Sequence, residues 1–149
     1  MSLIAIYEQM ATQIRVAVSN GVWDFQVEPW AITTPSPPSI DMYRGEVTDD
    51  DAAAFGATVE DMRSSELVVV RARVSTNDAE AMQDVLYALA DPSDAHCLVQ
   101  AIYDDATLAG RATDVHLVSD SGLTLVPGID GATVHYGNVW RFLVIPAWS

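Results

Sequence analysis

Apolar residues recur along this chain with two periods, and each change of period marks a change of element. Leu3, Tyr7, Met10, Ile14 and Ala17 follow at steps of three and four, which places them on one face of a helix. Ser2 stands where an N-cap belongs, and Asn20-Gly21 stands where such a helix ends. Trp23, Phe25 and Val27 then alternate, as a short strand does. Pro29, Pro35, Pro37 and Pro38 remove too many amide donors for a helix, so 28–38 reads as an extended connection into a short strand at 39–43. Residues 45–64 show no core-like pattern and read as a flexible loop, with Thr48 as the N-cap of a short helix if one forms.

The second half is more regular. Leu67-Val68-Val69-Val70 is apolar on both faces, which predicts a central strand over 66–74 with Arg71 and Arg73 on the same side. Asn77 and Glu80 have capping-box spacing, and Ala79, Met82, Val85, Leu86 and Leu89 form the buried stripe of a helix that Asp91-Pro92 stops. Ser93 is placed to cap a shorter helix ending near Tyr103. A tight acidic turn centred on Asp104, Leu108 and Gly110 leads into a strand over 111–119. On that strand, strict alternation sets Ala112, Asp114, His116 and Val118 against Thr113, Val115 and Leu117, the apolar side. Asp120-Ser121-Gly122 reads as a turn, followed by a brief strand at 123–126 and two last strands at 134–136 and 138–145.

These elements predict a single α+β domain over 1–149, with a mostly antiparallel sheet and two to three helices packed on one face. Half of the residues are hydrophobic, enough for a core without a disulfide, and Cys97 is the only cysteine. The start of the chain lacks a cationic region and carries an early Glu8, so no signal peptide is expected there. No apolar run approaches the ~20 residues of a membrane helix.

Net charge is −14, and all seven cations are arginine. Affinity for duplex DNA comes mainly from cations on phosphates, so specific DNA binding and anionic membranes are disfavoured. His96, Cys97, His116 and His135, with Asp94 and Asp114, lack metal-site spacing, and adjacent His96 and Cys97 on a helix point ~100° apart. Cys97 sits among apolar neighbours, and no Gly-x-Ser-x-Gly, Gly-x-Gly-x-x-Gly or Walker pattern occurs. No catalytic residue, metal or cofactor is expected. Trp30 and Trp148 lie beside prolines and are candidate interface anchors, since tryptophan is enriched at binding hot spots.

The Asp-x-Thr-Leu-x-Gly turn between a helix and an alternating strand resembles that of bacteriophage tail terminator proteins. The order of parts is similar over most of the chain. An N-terminal amphipathic helix leads through the Pro-rich entry at 35–40 to a long loop. The central strand at 67–74, the helix at 78–90, the acidic turn and an aromatic final strand at 140–145 follow. The resemblance implies a structural virion protein, assembled in the host cytoplasm, that forms a homohexameric ring on the tail tube. It implies that the ring stops tail growth and docks head-completion or neck proteins while DNA passes through without specific binding. Other head–tail joining and minor tail proteins share parts of this layout.

On that reading Asp49, Asp50, Asp51, Glu60 and Asp61 are candidates to line the channel, where carboxylates repel DNA from the wall. Like-charged subunits repel, so Arg44, Arg63, Arg71 and Arg73 are candidates for pairing with carboxylates across the interface. Two readings compete with assembly. A small α+β enzyme would need a pocket with converging groups, for instance Asp114, His116 and His135 on neighbouring strands. An acidic DNA mimic would bind a basic partner through spaced carboxylates.

Overall fold

The computed structural model describes residues 2–19, 25–32, 38–46, 65–75, 79–127 and 134–147. Three helices, α1 (Leu3–Val18), α2 (Ala79–Ala90) and α3 (Leu98–Tyr103), accompany a six-stranded sheet. The strands are β1 (Gln26–Val27), β2 (Ser39–Gly45), β3 (Glu66–Val74), β4 (Ala112–Asp120), β5 (Thr124–Pro127) and β6 (Val134–Pro146). Their order is β1-β2-β3-β6-β4, with β5 also on β6; β1 and β2 run parallel and the other pairs antiparallel. The fold is α+β and the sheet is open.

Alternation along the strands decides the layers. Ile40 and Met42 of β2, Val68, Val70, Ala72 and Val74 of β3, and Trp140, Phe142 and Val144 of β6 share one face. The helices cover it with Ile6, Met10 and Ile14 from α1, Val85, Leu86 and Leu89 from α2, and Leu98 and Ile102 from α3. The central strand matches its expected span and lies between β2 and β6, as its apolar run requires. The α2 stripe also holds, except that Ala79 is exposed.

Several local expectations change. Ser2 takes the extended N-cap conformation, but its side chain makes no capping bond. Helix α1 ends at Val18, where the Ser19 amide donates to the Arg15 carbonyl. The short helix starts at Leu98 and not at Ser93. The Asp91 carboxylate accepts from the Ser93 amide and hydroxyl, and Asp94 accepts from the His96 amide, so side chains take donors that a helix would need. In the acidic turn the organising residue is Asp105 rather than Asp104. Its carboxylate accepts from the Thr107 amide (3.2 Å) and hydroxyl (2.6 Å) and the Ala109 amide (2.9 Å). Leu108, Ala109 and Gly110 then follow with positive φ, and Leu108 drops fully into the core.

The strict alternation of β4 fails at its first step. Register shifts between Ala112 and Asp114, and this bulge turns both Ala112 and Val115 into the core. Residues 121–123 form no reversal. β4 and β5 run antiparallel to the same side of β6, so they are one long strand interrupted where Gly122 takes φ +69°. Gly137 does not divide the last strand, and β6 is continuous over 13 residues. Trp23, the Asn20-Gly21 stop, Thr48 with the rest of 47–64, and the Asn77 cap lie outside the described residues.

Candidate functional site

Two recesses of similar size occur among the described residues: one of about 370 Å³ between α1 and α3, edged by Asp94, Asp104 and Asp105, and an apolar groove of about 430 Å³ where the first turn of α1 meets the end of β2 and the segment after β1. The groove is lined by Leu3, Ile4, Tyr7, Pro29, Trp30, Ala31, Met42, Tyr43 and Arg44. Pro29 interrupts hydrogen bonding after β1, so the chain turns out of the sheet and carries Trp30 to the surface. Trp30 is 58% exposed. It stands beside other apolar groups outside the filled core.

Beneath this groove a short polar chain fixes the α1–sheet contact. The Tyr7 hydroxyl donates to Glu66 Oε1 at 2.7 Å, and Arg44 Nε donates to the same oxygen at 2.7 Å. Glu66 is buried, and the two donors satisfy it. Burial, then the Glu66 hydrogen bond and charge, push the Tyr7 phenol well above its ordinary range, so it stays a donor. The Glu66 hydrogen bond and charge raise Arg44 further. Most of the Arg44 side chain remains exposed at the rim and supplies the groove's one charged lining residue.

The opposite sheet face holds a second polar group of residues. Asp41, fully buried, accepts from Arg71 Nε at 3.0 Å and Nη2 at 2.6 Å, a bidentate pair, and from the Ile32 amide at 2.9 Å. Arg73 Nη1 lies 3.9 Å from the same carboxylate, and Arg71 stacks 5.1 Å from the Tyr43 ring centre. Burial, followed by the charge of Arg71, lowers the Arg73 pKa. Of the arginines expected at an interface, Arg44 is at the surface, Arg71 is mostly committed to Asp41, and Arg73 is buried within its own chain. Arg73 therefore does not present a surface group. The antiparallel register places it beside Ser39 in the sheet interior.

Trp148, Arg63, Asp49, Asp50, Asp51, Glu60 and Asp61 lie outside the described residues. The proposed convergence of Asp114, His116 and His135 does not occur. His116 Nε2 is 3.0 Å from Asp114 Oδ2, but His116 sits opposite Leu143. His135 is eight residues further along β6, about 26 Å by strand rise. His96 Nδ1 contacts Asp94 at 2.7 Å, and Cys97 is buried at the start of α3. No group of three or more metal-ligating side chains occurs among the described residues. No helix among them is long and apolar enough to cross a membrane.

Sequence reasoning singled out Trp30 and Arg44 but missed Ile4, their neighbour in the groove. The signal for Ile4 was present, since it stands off the Leu3–Tyr7–Met10 stripe while being strongly apolar. Comparison with known protein families and with characterised proteins returns no match for this chain.

Proposed function

We propose that this chain is a ring-forming structural protein of a bacteriophage tail: the terminator that caps the tail tube, ends its growth and offers a docking face to the neck. The observation that carries the reading is the groove around Trp30, an exposed apolar recess whose lining holds no carboxylate in a chain of net charge −14. A surface freed of acid and furnished with tryptophan suits protein contact better than catalysis. The order of elements and the acidic turn that resembles the tail terminators supply the particular assignment.

The test is native mass and negative-stain imaging of the purified protein at low salt, at high salt with magnesium, and with purified tail tubes. A closed six-fold ring with an open centre, alone or seated on tube ends, is expected. Tubes that stay uncapped, with no ring under any condition, overturn the reading.

A further inference from the structure

We infer that the buried guanidinium of Arg73, with the Ser39 hydroxyl beside it, binds a small oxyanion of the phosphate or carboxylate kind on the sheet face turned away from the helices. The site lies apart from the Trp30 groove and does not depend on the tail reading.

The register of the sheet sets these groups in one row. Arg73 of β3 lies directly opposite Ser39 of β2 on one side and Gly137 of β6 on the other, and Thr124 of β5 lies opposite Gly137. Opposed residues on neighbouring strands point to the same face. The row therefore runs Ser39, Arg73, Gly137, Thr124. It holds one guanidinium and two hydroxyls, and Gly137 places no side chain between Arg73 and Thr124.

The first two members are buried without partners. Ser39 is fully buried and Arg73 is 5% exposed. Arg73 Nε and Nη1 and Ser39 Oγ are shut away from solvent and form no hydrogen bond within the chain. A buried donor left unmade costs the full loss of its water contacts. Arg71 shows the contrast two residues away. Its Nε and Nη2 both donate to Asp41, and the Ile32 amide donates to Asp41 Oδ2 as well. Asp41 is thus taken before Arg73 reaches it. Arg73 Nη1 stays 3.9 Å from Oδ2, near enough to feel its charge and too far for a hydrogen bond.

Charge names the ligand. Two guanidiniums share one carboxylate, so this buried group keeps one positive charge inside a chain of net charge −14. Buried charges are stable when paired. The lowered Arg73 pKa has the same origin, burial and the like charge of Arg71. The groups left over are N–H and O–H donors around an unbalanced cation. An anion with several oxygens meets both demands, and guanidinium edges match phosphate and carboxylate oxygens. Arg73 is almost closed to solvent, so a small free anion suits it and the surface of a macromolecule does not.

The test titrates the full chain separately with inorganic phosphate, sulfate and acetate, in chloride buffer at constant ionic strength. Calorimetry and the melting temperature are the readouts. At least one of the three is expected to bind one to one and to raise the melting temperature to a plateau. Binding of phosphate and sulfate alone marks a tetrahedral anion, and binding of acetate alone marks a carboxylate. Arg73→Met keeps most of the stem, removes the charge and is expected to abolish binding. Ser39→Ala is expected to weaken it about tenfold. Arg73→Lys, which keeps the charge and loses the fork, replaces Arg73→Met if that variant does not fold, and weakens binding in its place. No binding by any of the three anions overturns the site, and so does binding that these substitutions leave unchanged. A rise in melting temperature that never saturates and is shared by the variants is the general effect of excluded salts, and it overturns the site too.

Discussion

Asp41 and Met42 are neighbours on β2, both fully buried, and they are buried by opposite chemistry. Met42 joins the apolar layer beneath the helices, where any residue of similar volume and shape can serve. Asp41 faces the other side, where two guanidiniums and one backbone amide converge on it. The same alternation continues across β3, with Val70 and Ala72 on one face and Arg71 and Arg73 on the other. One face depends on area removed from water, and the other depends on a set of partners that must all be present. The apolar face is therefore tolerant and the polar face specific. That difference explains why Arg71 and Arg73, which looked available for a partner, are already committed.

The largest expected effect comes from Asp41→Ala. It leaves Arg71 and Arg73 without their carboxylate and the Ile32 amide without its acceptor, and costs about 3–5 kcal/mol in urea unfolding. Met42→Ala, one residue away, opens a cavity and costs about 2–5 kcal/mol, depending on how far the layer collapses. A second substitution separates the faces: Met42→Leu costs less than about 1.5 kcal/mol, whereas Asp41→Asn, equally close in volume, remains strongly destabilising. Equal tolerance at both positions would break the comparison.

Gly45 gives the next effect in size. A Cβ there would stand 2.7 Å from Leu67 Cδ2 and 2.9 Å from Val69 Cγ2, on the same face as Asp41. Gly45→Ala is expected to cost about 1–3 kcal/mol by overpacking, read as a lower melting temperature. A neutral result would mean that the apolar end of this face is loosely filled, unlike the face under the helices.

Acid produces the smallest effect and separates both faces from the turns. Asp105 is held below its ordinary value of 3.8 by the Thr107 hydroxyl and the Ala109 amide, and Asp91 and Asp94 are held low by Ser93 and His96. A depressed folded pKa contributes stability that is present above the unfolded value and is lost as pH falls through the folded one. The urea midpoint should therefore decline from about pH 5 towards pH 2, and Asp105→Asn should flatten part of that decline. An unchanged acid limb in that variant would show that the Asp105 turn does not carry the loss.

Legibility followed the range of the interaction. The span of β3 and the buried stripe of α2 were readable because apolar periodicity is a local property, repeated within a few residues. The exposed place of Trp30 outside any helix or strand was readable because Pro29 precedes it. The Asp41–Arg71 pair was not, since 30 residues separate its members and only the antiparallel register of β2 on β3 joins them. The bulge at the start of β4 and the break at 121–123 escaped for the same reason, because both are defined against β6. The acidic turn was located correctly but centred one residue early. Two adjacent aspartates compete for one role, and backbone geometry chose Asp105.

By itself, the sequence determined what depends on neighbours in the chain: an acidic α+β protein, its amphipathic helices, its central apolar strand and its punctuation by proline and aspartate. The tertiary structure alone decided which charges cancel and which apolar residues stay in water. Those outcomes belong to pairs of residues brought together by register, and register is settled only when the whole sheet closes on its helices.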